Sequence, residues 1–271
     1  MQFKNIQGVD VPEIGLGTHR LHNKECSDIV RAALEIGYRH IDTAQMYKNE
    51  RSIGRAIGIS NVPREDIFLA TKIWHTNLAA DDVLQSTETS LKNLDTPYVD
   101  LLMIHWPNDQ YDLRATIESM LILRDQGKAL NIGVSNFPLH LLKKANDEIR
   151  APIFCDQLEF HPFIDQLDLL DYAIENDILV TAYSPLAQGK VTENEVIQEI
   201  AEKYDKSPAQ IALRWLIEQE NVVAIPKASS KEHLKENFDI FDFFLDDEDF
   251  DRIDELEKGT RLVNPSFAPD W

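Results

Sequence analysis

Apolar residues along the chain follow two patterns that alternate from one end to the other. Short apolar or β-branched segments bounded by polar residues predict strands, and longer segments with apolar residues every three or four positions predict amphipathic helices. The predicted strands lie at 13–18, 40–42, 67–73, 99–106, 130–136, 154–160, 178–184 and 221–227. The predicted helices lie at 26–37, 51–58, 81–94, 113–127, 139–149, 167–177, 193–205 and 207–219, the last with Ser207 as N-cap and Pro208 at its first position.

This alternation determines the predicted fold class. Eight strands alternating with helices, without a Gly/Ser-rich linker, predict one α/β domain over residues 1–271, folded as a closed (β/α)8 TIM barrel. A doubly wound open sheet is the alternative, but no G-x-G-x-x-G motif follows the first strand. Residues 1–12 are predicted to form a short β-hairpin that plugs the bottom of the barrel, and residues 261–271 form a tail beyond the last helix.

The charge of the chain excludes two classes of partner. There are 27 Lys and Arg residues against 47 Asp and Glu residues, which gives a formal net charge of −20. A protein of this charge repels nucleic-acid phosphates and anionic lipid surfaces, so neither nucleic acid nor membrane is an expected partner. Much of the acidity lies in 245–258, which we interpret as a solvated helix face.

Cysteine usage and the N-terminus indicate a cytoplasmic protein. The two cysteines, Cys26 and Cys155, have no metal-ligand spacing, so no metal site is predicted and a reducing compartment fits. The N-terminal residues lack the basic start and apolar stretch of a signal peptide, and nowhere do about 18 apolar residues follow one another.

Four polar residues lie at or just beyond the ends of predicted strands, where (β/α)8 barrels have their active sites. Asp42 ends the second strand, Tyr47 follows it, Lys72 lies near the end of the third strand and His105 near the end of the fourth. A buried lysine is costly unless it is paired, and Asp42 is the expected partner. For each residue taken alone, a structural Asp–Lys pair with a bystander tyrosine and histidine remains open.

Taken together, the four residues predict carbonyl chemistry. A phenol with a pKa near ~10 exchanges protons poorly at neutral pH unless a nearby cation stabilises the phenolate. Lys72 is the expected cation, Asp42 would orient Lys72, and His105 would position a carbonyl oxygen beside Tyr47. Because no side chain delivers hydride, the scheme requires a nicotinamide cofactor.

A series of motifs then resembles a known family over essentially the whole chain. The motifs are GLGT at 15–18, GYRHIDTAQMYKNE at 37–50, TKIW at 71–74, DLLMIHWP at 100–107, GVSNF at 133–137, QLEFHP at 157–162, YSPLAQGK at 183–190 and IPKASSKEHLKENF at 225–238. In this order they resemble the aldo-keto reductases. The resemblance implies a catalytic tetrad of Asp42, Tyr47, Lys72 and His105, with Tyr47 as the proton donor in carbonyl reduction.

The resemblance also implies NADPH/NADP+ as the cofactor and assigns its contacts. Ser135, Asn136 and Gln157 match the residues that hold the nicotinamide carboxamide, and Tyr183 matches the aromatic that stacks on the ring. The loop at the pyrophosphate matches Ser184, Pro185, Leu186 and Gln188. Lys227 matches the 2′-phosphate contact, which favours NADPH. Glu236 and Asn237 match the adenine contacts. His233 is also assigned to the cofactor and lies where many members have arginine. The remaining assigned residues are Gly17, Thr18, Asp42, Ala228 and Ser229.

The substrate is predicted to be a small carbonyl compound. His19, Trp74, Trp106 and Trp271 are the expected substrate-facing residues, whereas Trp215 is expected in the core and His161 in a structural role. The short loops and the tail look most like the bacterial 2,5-diketo-D-gluconate and methylglyoxal reductase branch, which implies α-dicarbonyls or keto sugar acids and a monomer.

Two other functions compete with this interpretation. A zinc-dependent barrel hydrolase is disfavoured because the first strand lacks an H-x-H pair. A nucleotide-sensing regulatory subunit on the same fold, with little turnover, stays open, because such proteins keep the same residues.

Overall fold

The computed structural model describes residues 2–271 and contains an eight-stranded parallel sheet. Two hairpin strands come first, β1 (Phe3–Ile6) and β2 (Val9–Pro12). The parallel strands follow as β3 (Leu16–Gly17), β4 (His40–Asp42), β5 (Phe68–Ile73), β6 (Val99–Ile104), β7 (Ala129–Ser135), β8 (Ile153–Glu159), β9 (Leu179–Tyr183) and β10 (Val222–Ala224). Each strand from β3 to β10 pairs with the next one in the sequence.

Hydrogen bonds between the first and last parallel strands close the sheet. The Gly15 amide donates to the Ala224 carbonyl at 2.9 Å, and the Ala224 amide donates to the Glu13 carbonyl at 2.9 Å. A Cβ atom at Gly17 would lie 2.6 Å from the Ile225 carbonyl oxygen, so only glycine permits this approach. The predicted closed barrel is confirmed and the open-sheet alternative is wrong.

The N-terminal hairpin covers the bottom of the barrel, as predicted for its residues within the described range; Met1 lies outside it. β1 and β2 pair antiparallel. Ile6 and Val11 are buried in one cluster with residues such as Phe68, Phe154 and Leu179, which lie near the starts of their strands. The hairpin therefore fills the end of the barrel opposite to the carboxyl ends of the strands.

The helices surround the sheet. They are α1 (Asn23–Ile36), α2 (Glu50–Gly58), α3 (Ala80–Leu94), α4 (Leu113–Asp125), α5 (Leu139–Lys143), α6 (Leu167–Glu175), α7 (Glu195–Tyr204), α8 (Pro208–Glu218), α9 (Lys231–Phe238) and α10 (Asp247–Asp254). The predicted helix at 139–149 is α5 followed by a π-helical turn, Lys144–Glu148. Both α7 and α8 lie between β9 and β10, and the helix after β10 is α9, which the periodicity did not predict. Within residues 2–271, no helix is long and apolar enough to cross a membrane.

A local capping signal explains α8, whereas α10 differs from its prediction at one residue. Ser207 caps α8 in a capping box with Gln210, and Pro208 is its first residue, as predicted. The acidic segment forms α10, but Asp249 is buried at 2% exposure, with its Oδ2 2.6 Å from the Lys203 Nζ. The interpretation of this segment as a solvated face is therefore wrong at Asp249, because a lysine from α7 compensates the buried charge. Trp215 lies in the core, as predicted.

His40 makes the stability of the barrel sensitive to acid. Its ring is buried, packs edge-on against Phe68 at 4.9 Å between centroids, and its Nδ1 has no hydrogen-bond partner among the described residues. Burial lowers the pKa of His40 to about 4. Because the folded-state pKa of His40 lies below its value in the unfolded chain, the neutral ring stabilises the fold fully above pH ~6.5. This stabilisation, about 3 kcal/mol in all, is lost as the pH falls towards ~4.

We therefore expect His40→Asn to reduce the acid sensitivity of the fold. The measurement is the free energy of unfolding by urea at several values between pH ~7 and ~4. The difference between the native chain and the variant isolates His40 from the many carboxylates that also titrate. Parallel curves for the two proteins would contradict the assignment.

Candidate active site

The four residues of the predicted tetrad meet at the carboxyl ends of neighbouring strands. Asp42 is the last residue of β4, Lys72 lies in β5, His105 follows β6 directly, and Tyr47 ends a 3-10 helix, Gln45–Tyr47. The Lys72 Nζ lies 2.6 Å from the Asp42 Oδ1, and the two side chains are 0% and 2% exposed. The structure thus brings together four residues that span more than sixty positions of the sequence.

Further hydrogen bonds satisfy the buried ion pair. The Lys72 Nζ also donates to the Thr43 carbonyl at 2.8 Å, and the Gln157 Nε2 donates to the Asp42 Oδ2 at 2.8 Å. The Thr18 Oγ1 donates to the Asp42 carbonyl at 2.8 Å. A buried ion pair is tolerated only when its remaining polar atoms are hydrogen-bonded. Gln157 and Thr18, predicted as cofactor contacts, hold Asp42 in this structure, and Thr18 is completely buried.

Tyr47 stands at the centre of the polar cluster. The Lys72 Nζ lies 5.2 Å from the centroid of the Tyr47 ring, and the rings of His105 and His19 lie 5.6 Å and 5.0 Å from it. Burial first, and then the Asp42 carboxylate, raise the pKa of Tyr47 well above its ordinary value. Lys72 is therefore placed as predicted, but burial dominates the titration, and the phenol keeps its proton throughout the neutral range.

Burial also governs the other two titratable groups. It lowers the pKa of Lys72, and Asp42 offsets part of that change. Burial, followed by the charge of Lys72, lowers the pKa of His105 well below its ordinary value. The His105 imidazole is therefore neutral at pH ~7 and can donate one N–H bond. Its Nδ1 is buried without a hydrogen-bond partner among residues 2–271.

The residues predicted to hold the nicotinamide form one hydrogen-bonded network beside the tetrad. The Tyr183 hydroxyl donates to the Asn136 Oδ1 at 2.7 Å, and the Asn136 Nδ2 donates to the His105 carbonyl at 2.9 Å. The Ser135 Oγ donates to the Gln157 carbonyl at 2.7 Å. Asn136 has a left-handed backbone, with φ of 62°, a conformation that asparagine tolerates better than most residues. The network connects β7, β8 and β9 to the strand end that carries His105.

The predicted pyrophosphate loop has an unusual backbone. Ser184, Ala187 and Gln188 have φ values of 49°, 47° and 54°, and Gly189 has 98°. Left-handed backbone at residues other than glycine costs about 1–3 kcal/mol for each residue and is concentrated at functional segments such as ligand-binding loops. Alternation of right- and left-handed residues turns successive amides towards one point, which is a common way to bind phosphate. Pro185 and Leu186 lie within the same loop.

The residues predicted for the distal part of the nucleotide follow β10 and lead into α9. Lys227, Ser229 and His233 are exposed, Glu236 is half-buried, and Ala228 and Asn237 are buried. Lys227 forms no ion pair with any carboxylate in the described part of the chain. An exposed, unpaired ammonium is suited to a phosphate. The Ser230 Oγ accepts from the His233 amide at 3.2 Å and caps α9.

Aromatic side chains form a wall beside the tetrad. The ring centroids of Trp74 and His105 lie 5.2 Å apart, and Trp106, which follows His105 in the sequence, is buried. The ring of Phe267, in the C-terminal tail, contacts Trp74 and Trp106 edge-on at 5.7 Å each and stacks on His75 at 4.2 Å. Sequence reasoning missed Phe267 and His75. The signal for Phe267 was its position as a large aromatic residue in the tail beyond the last helix.

Trp271 lies at the edge of this wall. Its ring is 6.1 Å from Trp106, its Nε1 donates to the Asn264 Oδ1 at 3.1 Å, and the Arg261 guanidinium carbon lies 3.6 Å from the ring centroid. The side chain is 41% exposed. His161 is fully buried against Glu159, as its structural interpretation predicted. Residues 2–271 contain no group of three His, Cys, Asp or Glu side chains placed to hold a metal ion.

Fold and site together define a (β/α)8 barrel protein with a buried lysine–carboxylate pair, a phenol and an imidazole at its mouth. A sequence profile described as the Aldo/keto reductase family matches residues 13–258. The chain belongs to the aldo/keto reductase family and is an oxidoreductase.

Named relatives cover nearly the full length of the chain. Glyoxal reductase of Bacillus subtilis (strain 168) is 42% identical over 94% of this chain and 92% of its own length. Methylglyoxal reductase DkgB of Escherichia coli O157:H7 is 39% identical over 96% of this chain and 99% of its own. A crystal structure of a protein provisionally named 2,5-diketo-D-gluconic acid reductase B superposes with a TM-score of 0.97, at 39% identity, over 100% of this chain and 97% of that one.

Proposed function

We propose that this protein reduces small aldehydes and ketones to alcohols with NADPH, and that Tyr47 donates the proton. The preferred substrates in this proposal are α-dicarbonyls such as methylglyoxal or keto sugar acids such as 2,5-diketo-D-gluconate. The names of the relatives and the short aromatic-lined mouth support this substrate class.

The observation that carries the proposal is the position of Tyr47 between Lys72 and His105. The raised pKa keeps the phenol protonated, so Tyr47 carries the proton that it would donate. When the proton leaves, the Lys72 ammonium, 5.2 Å from the ring, stabilises the phenolate that remains. The neutral imidazole of His105 donates a hydrogen bond to the substrate carbonyl oxygen and orients it towards the phenol. Asp42 and Gln157 keep Lys72 in place.

The residues at the strand ends fit a dinucleotide. The left-handed loop from Ser184 to Gly189 suits a pyrophosphate, and the unpaired Lys227 suits a phosphate on the ribose. Asn136 and Tyr183 lie beside the tetrad, where a nicotinamide ring would be held. NADPH, when bound, supplies the hydride that no side chain can supply.

Oxidation of NADPH in the presence of methylglyoxal or a diketo sugar acid tests the proposal. We expect saturable turnover with the native chain, and faster turnover at low concentrations of NADPH than of NADH. Saturable binding of NADPH without turnover of either substrate would contradict the proposed reaction and favour a nucleotide-sensing role. Turnover of bulky steroids in preference to methylglyoxal would contradict the substrate class.

Lys227→Ala is expected to weaken NADPH binding roughly 10- to 100-fold and to change NADH binding little. Only NADPH carries the 2′-phosphate, and a charge-assisted hydrogen bond to phosphate is worth about 1.5–3 kcal/mol. The dissociation constants of both nucleotides, measured by fluorescence titration at low salt, give the comparison. The matched control is Lys24→Ala, which removes an exposed lysine that pairs with Asp28 within α1. Equal losses for the two nucleotides would contradict the role of Lys227.

A further inference from the structure

A buried carboxylate at the end of β8 holds the start of the C-terminal tail. Glu159 is 0% exposed, and its Oε1 accepts from the Leu262 amide at 2.7 Å, while its Oε2 accepts from the Val263 amide at 2.8 Å. The His161 Nε2 donates to the Oε1 at 2.9 Å, and the His161 Nδ1 accepts from the Phe163 amide at 3.2 Å. These contacts place the proton of His161 on Nε2, so the histidine serves as a third donor to Glu159.

The carboxylate is ionised in this arrangement. Burial alone would raise the pKa of Glu159, but the hydrogen bonds from His161, Leu262 and Val263 together lower it below its ordinary value. Two adjacent backbone amides pointing at one carboxylate require an acceptor at both oxygens. A neutral amide side chain would present an N–H group to one of the two amides and could not replace the carboxylate.

The held segment carries the aromatic residues of the substrate wall. Phe267 follows Val263 by four residues and packs between His75, Trp74 and Trp106. Apart from the Glu159 contacts, the base of the tail is fixed by a hydrogen bond from the Thr260 amide to the Phe163 carbonyl at 2.9 Å. Glu159 therefore holds the backbone four residues before Phe267.

We propose that Glu159 is a positioning residue for substrate specificity, which latches the tail at Leu262 and Val263 and so places Phe267 over the mouth of the site. Successive inward positions of β8 then have separate tasks. Gln157 holds Asp42 of the tetrad, and Glu159, two residues later on the same face of the strand, holds the tail. The effect on substrates rests on the proposed function, whereas the latch itself does not.

Limited trypsin digestion tests the latch without any catalytic assay. The Leu262 amide that Glu159 binds belongs to the Arg261–Leu262 peptide bond, so cleavage after Arg261 requires the latch to open. In Glu159→Gln we expect cleavage at this bond, followed by mass spectrometry, to accelerate roughly 10- to 100-fold, since hydrogen bonds to a charged group are lost. The control is Glu175→Gln, which removes an exposed charge at the end of α6. An unchanged rate of cleavage after Arg261 would overturn the proposal.

Steady-state kinetics test the consequence for substrates. A chain ending at Val263 keeps both latch amides but lacks Phe267 and Trp271, and it is compared with Glu159→Gln and with the combination of the two. Phenylglyoxal is the substrate because its ring would contact the aromatic wall when its carbonyl lies at Tyr47. We expect KM to rise about 2- to 12-fold in each variant, kcat to change less, and the combination to be no worse than the truncation. If the effects of Glu159→Gln and of the truncation on KM multiply in the combined variant, Glu159 acts independently of the tail. That result would overturn the role in specificity.

The two assays separate the possible failures. If Glu159→Gln accelerates cleavage after Arg261 but the native chain shows no turnover, the proposed latch is supported and only the proposed reaction is contradicted. If Glu159→Gln does not fold, the truncated chain still tests the tail beyond Val263. His161→Asn, which removes one donor and leaves the two amides, is expected to accelerate the cleavage by a smaller factor. A truncated chain with native KM for phenylglyoxal would overturn the specificity role in that case.

Discussion

Tyr47→Phe is expected to lower kcat for methylglyoxal by at least about 10² to 10⁴-fold, the usual contribution of general acid catalysis. The substitution removes one hydroxyl and keeps the ring, which packs against His19 and His105. The ion pair of Lys72 and Asp42 has its own hydrogen bonds and does not depend on the phenol. The binding of NADPH, measured by fluorescence titration, should therefore stay close to that of the native chain.

The control for this variant is Tyr204→Phe. Tyr204 ends α7, and its hydroxyl accepts from the Asp246 amide, so the same atom is removed outside the site. We expect native turnover from Tyr204→Phe, with some loss of stability at most. Turnover in Tyr47→Phe within a few-fold of the native value would show that Tyr47 is a bystander. A parallel loss of NADPH binding would show that the hydroxyl serves the cofactor and not the proton transfer.

Lys72→Met is expected to destabilise the protein by about 3–5 kcal/mol and to lower kcat at least about 100-fold. The substitution leaves the Asp42 carboxylate 2% exposed, with Gln157 as its remaining side-chain donor, and an uncompensated buried charge accounts for most of the loss. Urea unfolding measures the first effect. The loss of kcat is measured on the folded variant. It is expected because the Tyr47 phenolate then lacks the ammonium that stabilises it in the native chain.

A double variant separates the structural role of the pair from the catalytic one. In Asp42→Asn combined with Lys72→Met, neither buried charge remains, so we expect much of the stability to return while turnover stays low. This result would show that the Asp42–Lys72 pair contributes to catalysis and not only to folding. Recovery of turnover together with stability would mean that the pair is structural and that the single variant lost activity only because it unfolded.

The barrel could be predicted from the sequence. Apolar periodicity marked each strand within a few residues, and the alternation of strands and helices leaves few topologies available. Helix α9 was missed because its segment has few apolar residues. The first parallel strand, Leu16–Gly17, is shorter than predicted. Hydrophobic pattern predicts burial well, but it does not report how two distant strand ends meet.

Candidate chemistry was also visible in the sequence, since polar residues at the ends of buried strands have few structural reasons to be there. How they interact depends on contacts that form when the chain folds. The protonation of Tyr47 and His105 depends on burial and on charges from other strands. The contacts of Gln157 with Asp42, of Glu159 with the tail, and of Phe267 with the aromatic wall join residues up to nearly two hundred positions apart. No periodicity along the chain encodes such contacts, because distances between side chains and their desolvation arise only when the barrel is closed.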